Sequence, residues 1–147
     1  MSSSSSVGAV RTPRETVELL LHTYVHGRRS DVADLYAPVV NIDNPWVREG
    51  MPSEFRGDRE ALRARFEQSE RLLSFDSVRD VHIHEGADPE DVVVELRFDL
   101  TIRDSGANFS VGFIWFLRIV DGLIVSSRDY ANPLETAELA KLFESRS

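Results

Sequence analysis

Hydrophobic and polar residues alternate along the second half of the chain. The alternation covers four runs, residues 75–84, 91–103, 109–120 and 123–131. Since side chains of a strand point to opposite faces in turn, a period of two predicts a half-buried β-strand in each run. Short turns rich in Gly, Asp and Pro separate the runs and favour antiparallel pairing of consecutive strands.

The first half of the chain has apolar residues at helical spacing instead. The pattern predicts helices over 13–27, from about residue 30 to Pro38, from Gly57 onward and over 134–143, with a short strand at 39–44 and a loop at 45–56. Helices followed by a strand meander are typical of an α+β fold. We therefore expect N-terminal helices packed on one face of a curved, mostly antiparallel sheet that encloses one pocket.

The parity of the long strands assigns their faces. In the run 91–103 the even positions are apolar and the odd positions are mostly charged, so Phe98 is expected to point inward. In the run 109–120 the odd positions place Phe113 and Trp115 inward. Aromatic bulk of this kind either lines a ligand pocket or simply fills the core.

Asp129 is the main candidate for chemistry. Leu123, Val125, Ser127 and Asp129 share one parity, so the pocket-facing side of the last strand is expected to end in a hydroxyl and a carboxylate. A carboxylate among apolar walls has its pKa raised by desolvation toward the range useful for proton transfer. Alternatively, Asp129 pairs with a cation or caps the terminal helix.

Further large side chains are expected around the pocket. Tyr24 continues the inward stripe of the first helix, either as a donor to substrate or as a core residue with a satisfied hydroxyl. The loop and the following helix bring four apolar side chains to the pocket mouth, where they bind substrate or pack as a lid: Trp46, Met51, Phe55 and Phe66.

Composition excludes several function classes. The chain has 147 residues, a net charge of −8 and no cysteine, which argues against nucleic-acid binding, disulfides and a cysteine nucleophile. No run approaches the ~18 apolar residues of a membrane span. We expect a cytoplasmic protein with a disordered leader over residues 1–11 and a single domain over 12–147.

Three motifs, in this order and spacing, carry a family resemblance. They are residues 35–45 (LYAPVVNIDNP), 55–62 (FRGDREAL) and 121–134 (DGLIVSSRDYANPL). Together they resemble the SnoaL-like branch of the nuclear transport factor 2-like superfamily, and residues 87–95 and 128–132 are similar to the phenazine biosynthesis A and B proteins. The resemblance implies a cone-shaped α+β barrel around one pocket, no cofactor, and a homodimer formed through the outer sheet face.

The resemblance also sorts the candidate residues. The three positions that match the base, tyrosine and protonated aspartate of ketosteroid isomerases are Asn44, Leu20 and Trp115, so that apparatus is absent. Asn44 and the indole of Trp115 remain possible donors to a substrate carbonyl. In the phenazine A and B proteins a pocket glutamate acts as acid/base in the last-strand motif, and Asp129 matches its place.

The sequence therefore predicts a cyclase or isomerase acting on a small apolar, polyketide-like substrate by aldol-type or pericyclic ring closure. A non-catalytic ligand-binding or dimerisation module and an epoxide hydrolase are the alternatives. Glu95, Arg97 and Asp99 form a charged row similar to that of limonene-type epoxide hydrolases, but their parity points outward. His82 and His84 lack an evident third ligand, so we predict no metal site.

Overall fold

The computed structural model describes residues 10–47 and 53–144. Its helices are α1 (Pro13–His26), α2 (Arg29–Val32), α3 (Arg59–Leu72) and α4 (Pro133–Glu144), and a 3₁₀ turn at Ala33–Leu35 follows α2. Thr12 caps α1, with its side chain accepting from the Glu15 amide while Glu15 accepts from the Thr12 amide. The start of α1 is therefore determined locally. None of the helices described here is long and apolar enough to cross a membrane.

The strands form one six-stranded sheet. They are β1 (Tyr36–Asp43), β2 (Glu54–Asp58), β3 (Leu73–Glu85), β4 (Asp91–Ile102), β5 (Asn108–Val120) and β6 (Leu123–Ala131). The strand order is β2-β1-β6-β5-β4-β3, and all neighbours are antiparallel except β1 and β6. The predicted fold class is confirmed, although the sheet is open, with β2 and β3 as its edges.

The core lies between α1 and the inner face of β4 and β5. The even positions of β4 and most odd positions of β5 are buried, as their parity predicts. Val17 and Leu20 of α1 are at most 1% exposed and belong to the same cluster. This layer is therefore recognisable from hydrophobic periodicity alone.

A bulge at the start of β6 changes which residues face inward. The register between β5 and β6 shifts between Arg118 and Ile119, so Ile124 becomes fully buried while Leu123 and Val125 are only half-buried. The predicted inward position of Leu123 and Val125 is therefore wrong. An extra residue on one strand reverses the parity of everything before it, and the alternation in the sequence does not reveal that residue.

The segment before α3 also differs from the prediction. The second helix does not reach Pro38, because β1 already begins at Tyr36, and Pro38 lies where the register between β1 and β6 shifts. Proline is tolerated at such irregular places because no ladder hydrogen bond is required of it. Part of the predicted loop is the edge strand β2, whose last residue, Asp58, caps α3 by accepting from the Ala61 amide.

The leader prediction falls mostly outside the described residues. Of residues 1–11, the structure describes Val10 and Arg11. Arg11 donates from its guanidinium to the carbonyl of Gly122 at 2.9 Å. The side-chain hydroxyl of Thr16 donates to the same carbonyl at 2.9 Å, which joins α1 to the turn between β5 and β6.

Candidate active site

Aromatic rings form a continuous cluster between α1 and the sheet. The Tyr24 ring lies 5.2 Å from the Phe98 ring and 6.0 Å from the Trp115 ring, measured between centroids. Phe113 extends the cluster, 5.9 Å from Phe98 and 6.1 Å from Trp115. The structure thus brings together four of the aromatic residues that the sequence assigned to substrate binding or catalysis.

The members of this cluster differ in accessibility. Phe98 is 0% exposed, so it lies beneath the other rings as core, and no ligand reaches it without movement of its neighbours. Trp115 is 6% exposed, whereas Tyr24 and Phe113 are half-buried. Tyr24 and Phe113 therefore have the accessible aromatic surface in this region.

Asp129 enters the same interior from β6. Its Cα is paired with that of Trp115 on β5, so both side chains project from the inner face of the sheet. The neighbouring inward residue, Ser127, is 4% exposed and donates a hydrogen bond from its hydroxyl to Asp129 Oδ1. The strand thus holds a hydroxyl and a carboxyl beside the indole, as the shared parity of Ser127 and Asp129 predicts.

The carboxyl group of Asp129 has a shifted pKa. Desolvation by burial raises the pKa of Asp129 to about 6, the negative charge of Asp43 acts in the same direction, and the hydrogen bond from Ser127 opposes both. No cation within the described residues forms an ion pair with it. A carboxyl with this pKa changes protonation close to neutral pH and is suited to proton transfer.

The alternative prediction, that Asp129 caps the terminal helix, is wrong. The residue that caps α4 is Asn132, whose side-chain oxygen accepts from the amide of Leu134 at 3.0 Å. Asp129 bonds to Ser127 instead, within its own strand.

Desolvation of Asp129 predicts a pH-dependent stability. Its pKa is higher in the folded chain than the ordinary 3.8, so its destabilising effect grows as the pH rises from about 4 to about 6 and is complete above that range. Asp129→Asn removes the buried charge. We expect the unfolding free energy of the variant, relative to wild type, to gain about 3 kcal/mol between about pH 3.5 and about pH 7.5.

Urea denaturation of both proteins across this pH range measures the difference. Ser126→Ala, directly after the bulge, serves as a control that removes a neighbouring polar group without removing a charge. A difference between wild type and Asp129→Asn that stays constant with pH would show that the carboxyl is well solvated in the folded protein.

Tyr36 is a site residue that sequence analysis did not single out. It begins β1, is 5% exposed, and its ring lies 6.1 Å from the ring of Phe66 on α3. Burial raises the pKa of Tyr36 well above its usual value, and the nearby Tyr24 and Asp129 raise it further. The sequence signal that could have singled out Tyr36 is a tyrosine at a position expected to be buried, because a buried phenol usually has a hydrogen-bond partner.

Burial likewise raises the pKa of Tyr24. The negative charge of Asp129 acts in the same direction, and the positive charge of Arg29 opposes it. The phenol of Tyr24 therefore stays protonated at neutral pH and remains a hydrogen-bond donor.

Phe55, Phe66 and Asn44 lie at the border of this interior. Phe55 and Phe66 are half-buried against the core, and the guanidinium of Arg65 lies 4.9 Å from the centre of the Phe55 ring. Asn44 follows the end of β1, is half-buried, and donates its backbone amide to the carbonyl of Ser53 at 2.6 Å.

Trp46 lies elsewhere, and its predicted place at the pocket mouth is wrong. It is 60% exposed, and its ring packs edge-on against Tyr130 with centroids 4.7 Å apart. Tyr130 also contacts Phe116, which is 44% exposed on the outward parity of β5. The direction of the chain after Pro45 therefore places the indole of Trp46 on the outer face of the sheet. Met51 lies outside the described residues.

The charged row of β4 faces outward, as its parity predicts. Asp99 pairs with Arg79 of β3 at 3.0 Å, and Arg97 pairs with Glu135 of α4 at 2.8 Å. These partners place the row away from the aromatic interior. The pocket triad of limonene-type epoxide hydrolases therefore has no counterpart in these three residues.

No group of three or more His, Cys, Asp or Glu side chains is arranged to hold a metal ion within residues 10–47 and 53–144. His82 is exposed on β3. His84 contacts a carboxylate, with its Nε2 lying 2.7 Å from Glu95 Oε2 across the strand pair.

Comparisons with known protein families and sequences agree with the fold described above. A family model described as the SnoaL-like domain matches residues 17–127. An uncharacterised PhzA/B-like protein of Pseudomonas aeruginosa is 30% identical over 124 residues, covering 82% of this chain and 86% of that protein. These matches confirm the resemblance inferred from the three motifs.

Solved structures show the same fold. A Bacillus subtilis protein provisionally called an isomerase has a TM-score of 0.78 at 21% identity, covering 86% of this chain and 90% of the other. A phenazine biosynthesis-related protein of Pseudomonas aeruginosa has a TM-score of 0.71 at 20% identity, covering 86% and 82%. At such identities the likeness concerns the fold alone.

Proposed function

Because this chain belongs to the SnoaL-like domain family, we propose that it is a cofactor-independent cyclase or isomerase acting on an apolar, polyketide-like intermediate of secondary metabolism. One observation carries the proposal. Asp129 places an unpaired carboxyl with a pKa raised to about 6 on the inner face of the sheet, opposite Trp115. A base and an acid are thus both available near neutral pH from one residue.

The proposed reaction is an aldol-type ring closure. Ionised Asp129 takes a proton from the carbon next to a substrate carbonyl, and the electrons of that C–H bond form an enolate. The enolate carbon attacks a second carbonyl of the same molecule, a C–C bond forms, and the resulting alkoxide takes the proton back from Asp129. Atoms and charge balance without a co-reactant.

The aromatic side chains supply orientation in this proposal. Tyr24 and Phe113, backed by the more deeply buried Trp115, present ring surface that holds a flexible chain folded, so that its two reacting carbons meet. Phe55 and Phe66 extend the apolar wall. Asn44 and the indole of Trp115 are assigned as donors to a substrate carbonyl.

Native mass spectrometry of the protein incubated with an extract of its producing organism tests the proposal. We expect a retained apolar compound, whose conversion is then followed by chromatography and mass. Ring closure without loss of water leaves the mass unchanged but shifts the retention time, whereas epoxide hydrolysis adds one water. A retained compound recovered unaltered from wild type and from every interior variant would identify a binding module instead.

We further propose that two copies pair through the outer sheet face. Exposed apolar side chains collect there, with Ile114 40%, Phe116 44% and Trp46 60% exposed. Apolar surface of this kind, flanked by charged residues of both signs, is typical of an interface between subunits.

Phe116→Glu tests this pairing. We expect the variant to sediment as a monomer at concentrations at which the wild type sediments as a dimer, because the carboxylate loses its hydration in the contact. Leu19→Glu is the matched control, since Leu19 is 37% exposed on α1, on the opposite side of the sheet. A dimer that persists in Phe116→Glu and dissociates in Leu19→Glu would place the interface on the helical side.

A further inference from the structure

Two phenol groups lie in the interior, close enough to Asp129 for its charge to act on both. Tyr24 lies on α1 and Tyr36 begins β1, and each of their ring centroids is 6.1 Å from the centroid of the Phe66 ring. The Tyr24 ring is also 6.0 Å from that of Trp115, whose Cα faces the Cα of Asp129. The fold therefore gathers two phenols and one carboxyl from three separate elements.

Neither phenol oxygen has a hydrogen-bond partner among residues 10–47 and 53–144. Among the described residues, the fully buried side-chain polar atom that lacks a hydrogen-bond partner is Arg29 Nε, and neither phenol oxygen is as deeply buried. Each phenol oxygen therefore keeps some contact with solvent, and its hydrogen is not donated to any of the described residues.

The surrounding charges keep both phenols in the donor form. Burial and the charge of Asp129 raise the pKa of each phenol, so neither ionises near neutral pH. The guanidinium of Arg29 lies 4.2 Å from the centre of the Phe75 ring, which is 5.1 Å from the Tyr24 ring. Its buried positive charge favours negative charge near Tyr24.

We propose that Tyr24 and Tyr36 together bind the substrate oxygen that becomes negatively charged when Asp129 removes a proton. This inference rests on the proposed function and narrows its substrate class to carbonyl compounds that can form an enolate. A pericyclic substrate develops no such charge and gains little from two donors. The two phenols, rather than Asn44 and Trp115, then carry most of the stabilisation of the enolate.

Binding of 4-nitrophenolate tests the inference without a known substrate. The probe places an anionic oxygen on an aromatic ring, and 4-nitroanisole is its uncharged counterpart of nearly the same shape. The measurement uses Asp129→Asn at about pH 8, where the probe is ionised and the carboxylate cannot repel it. We expect Tyr24→Phe and Tyr36→Phe each to weaken 4-nitrophenolate binding about tenfold, since hydrogen bonds to charged groups are among the stronger ones.

Two controls separate hydrogen bonding from packing. Binding of 4-nitroanisole is expected to change less than about twofold in either variant, since the ring that packs is retained. Tyr130→Phe removes a phenol on the outer face and is expected to change neither probe.

The inference is overturned if 4-nitrophenolate binds both Phe variants as well as their parent, if both probes weaken equally, or if the parent binds neither probe. These outcomes leave the proposed function open to its own test. If Tyr24→Phe and Tyr36→Phe leave 4-nitrophenolate binding unchanged while Asp129→Asn loses turnover, the acid/base role of Asp129 is kept and the phenol site is rejected.

Discussion

Asp129→Asn is expected to lower kcat on the retained compound by about 10²- to 10⁴-fold, the usual contribution of a general acid/base. The amide has the shape of the carboxyl but cannot take up a proton near neutral pH. In the wild type, kcat is expected to rise with pH through about 6, where Asp129 becomes ionised, and then to level off. Steady-state kinetics over this pH range measure both effects.

Asp43→Asn is the matched control. Asp43 is another carboxylate near the site, but its side chain is 42% exposed, and its charge raises the pKa of Asp129. We expect Asp43→Asn to keep most of kcat while the midpoint of the pH profile moves to lower pH. A shift of this kind identifies Asp129 as the titrating group.

A different pattern would indicate catalysis by shape. If Asp129→Asn loses less than about threefold in kcat while Trp115→Ala loses far more, the ring closure depends on how the aromatic wall folds the substrate. That result would contradict proton transfer by Asp129 and favour a pericyclic reaction.

Phe98→Ala is expected to lower the free energy of unfolding by about 3–5 kcal/mol, the usual range for a buried phenylalanine. Phe98 is 0% exposed and contacts the rings of Tyr24, Phe75, Phe113 and Trp115. The cavity left by its ring would be bordered by several aromatic side chains that cannot all move inward. Urea denaturation followed by circular dichroism measures the loss.

Phe116→Ala is the control of equal size. Phe116 is 44% exposed on the outer face, so its truncation is expected to cost less than about 1 kcal/mol at a concentration at which both variants have the same oligomeric state. Equal losses in the two variants would show that the aromatic interior is loosely packed. In that case Phe98 would have to be considered a movable part of the site.

Much of the fold follows from local patterns in the sequence. β6 begins and ends at the predicted residues, Leu123 and Ala131, and α1 begins at the predicted Pro13, because alternation and capping depend on neighbouring residues only. Asp129 could be selected for a similar reason. Its parity with Ser127 applies after the bulge, so the inward direction was predicted correctly even though the first half of the strand was not.

The phenol pair could not be predicted in this way. Tyr24 and Tyr36 share a neighbour on α3, since the ring of each lies 6.1 Å from that of Phe66. This proximity depends on the relative positions of α1, β1 and α3, and the spacing of hydrophobic residues within any one of these elements does not determine it. Trp46 shows the same limit, since the direction of the chain after Pro45 decides which face of the sheet its indole covers.

The sequence by itself thus determined most of the strands and helices, the inward faces of β4 and β5, and a carboxyl near the end of β6. Each of these depends on the alternation or capping of adjacent residues. The tertiary structure alone decided that this carboxyl is desolvated, that its charge acts on two phenols, and that Trp46 lies outside. Desolvation and proximity are properties of the space between elements, because they arise only when distant parts of the chain exclude water together.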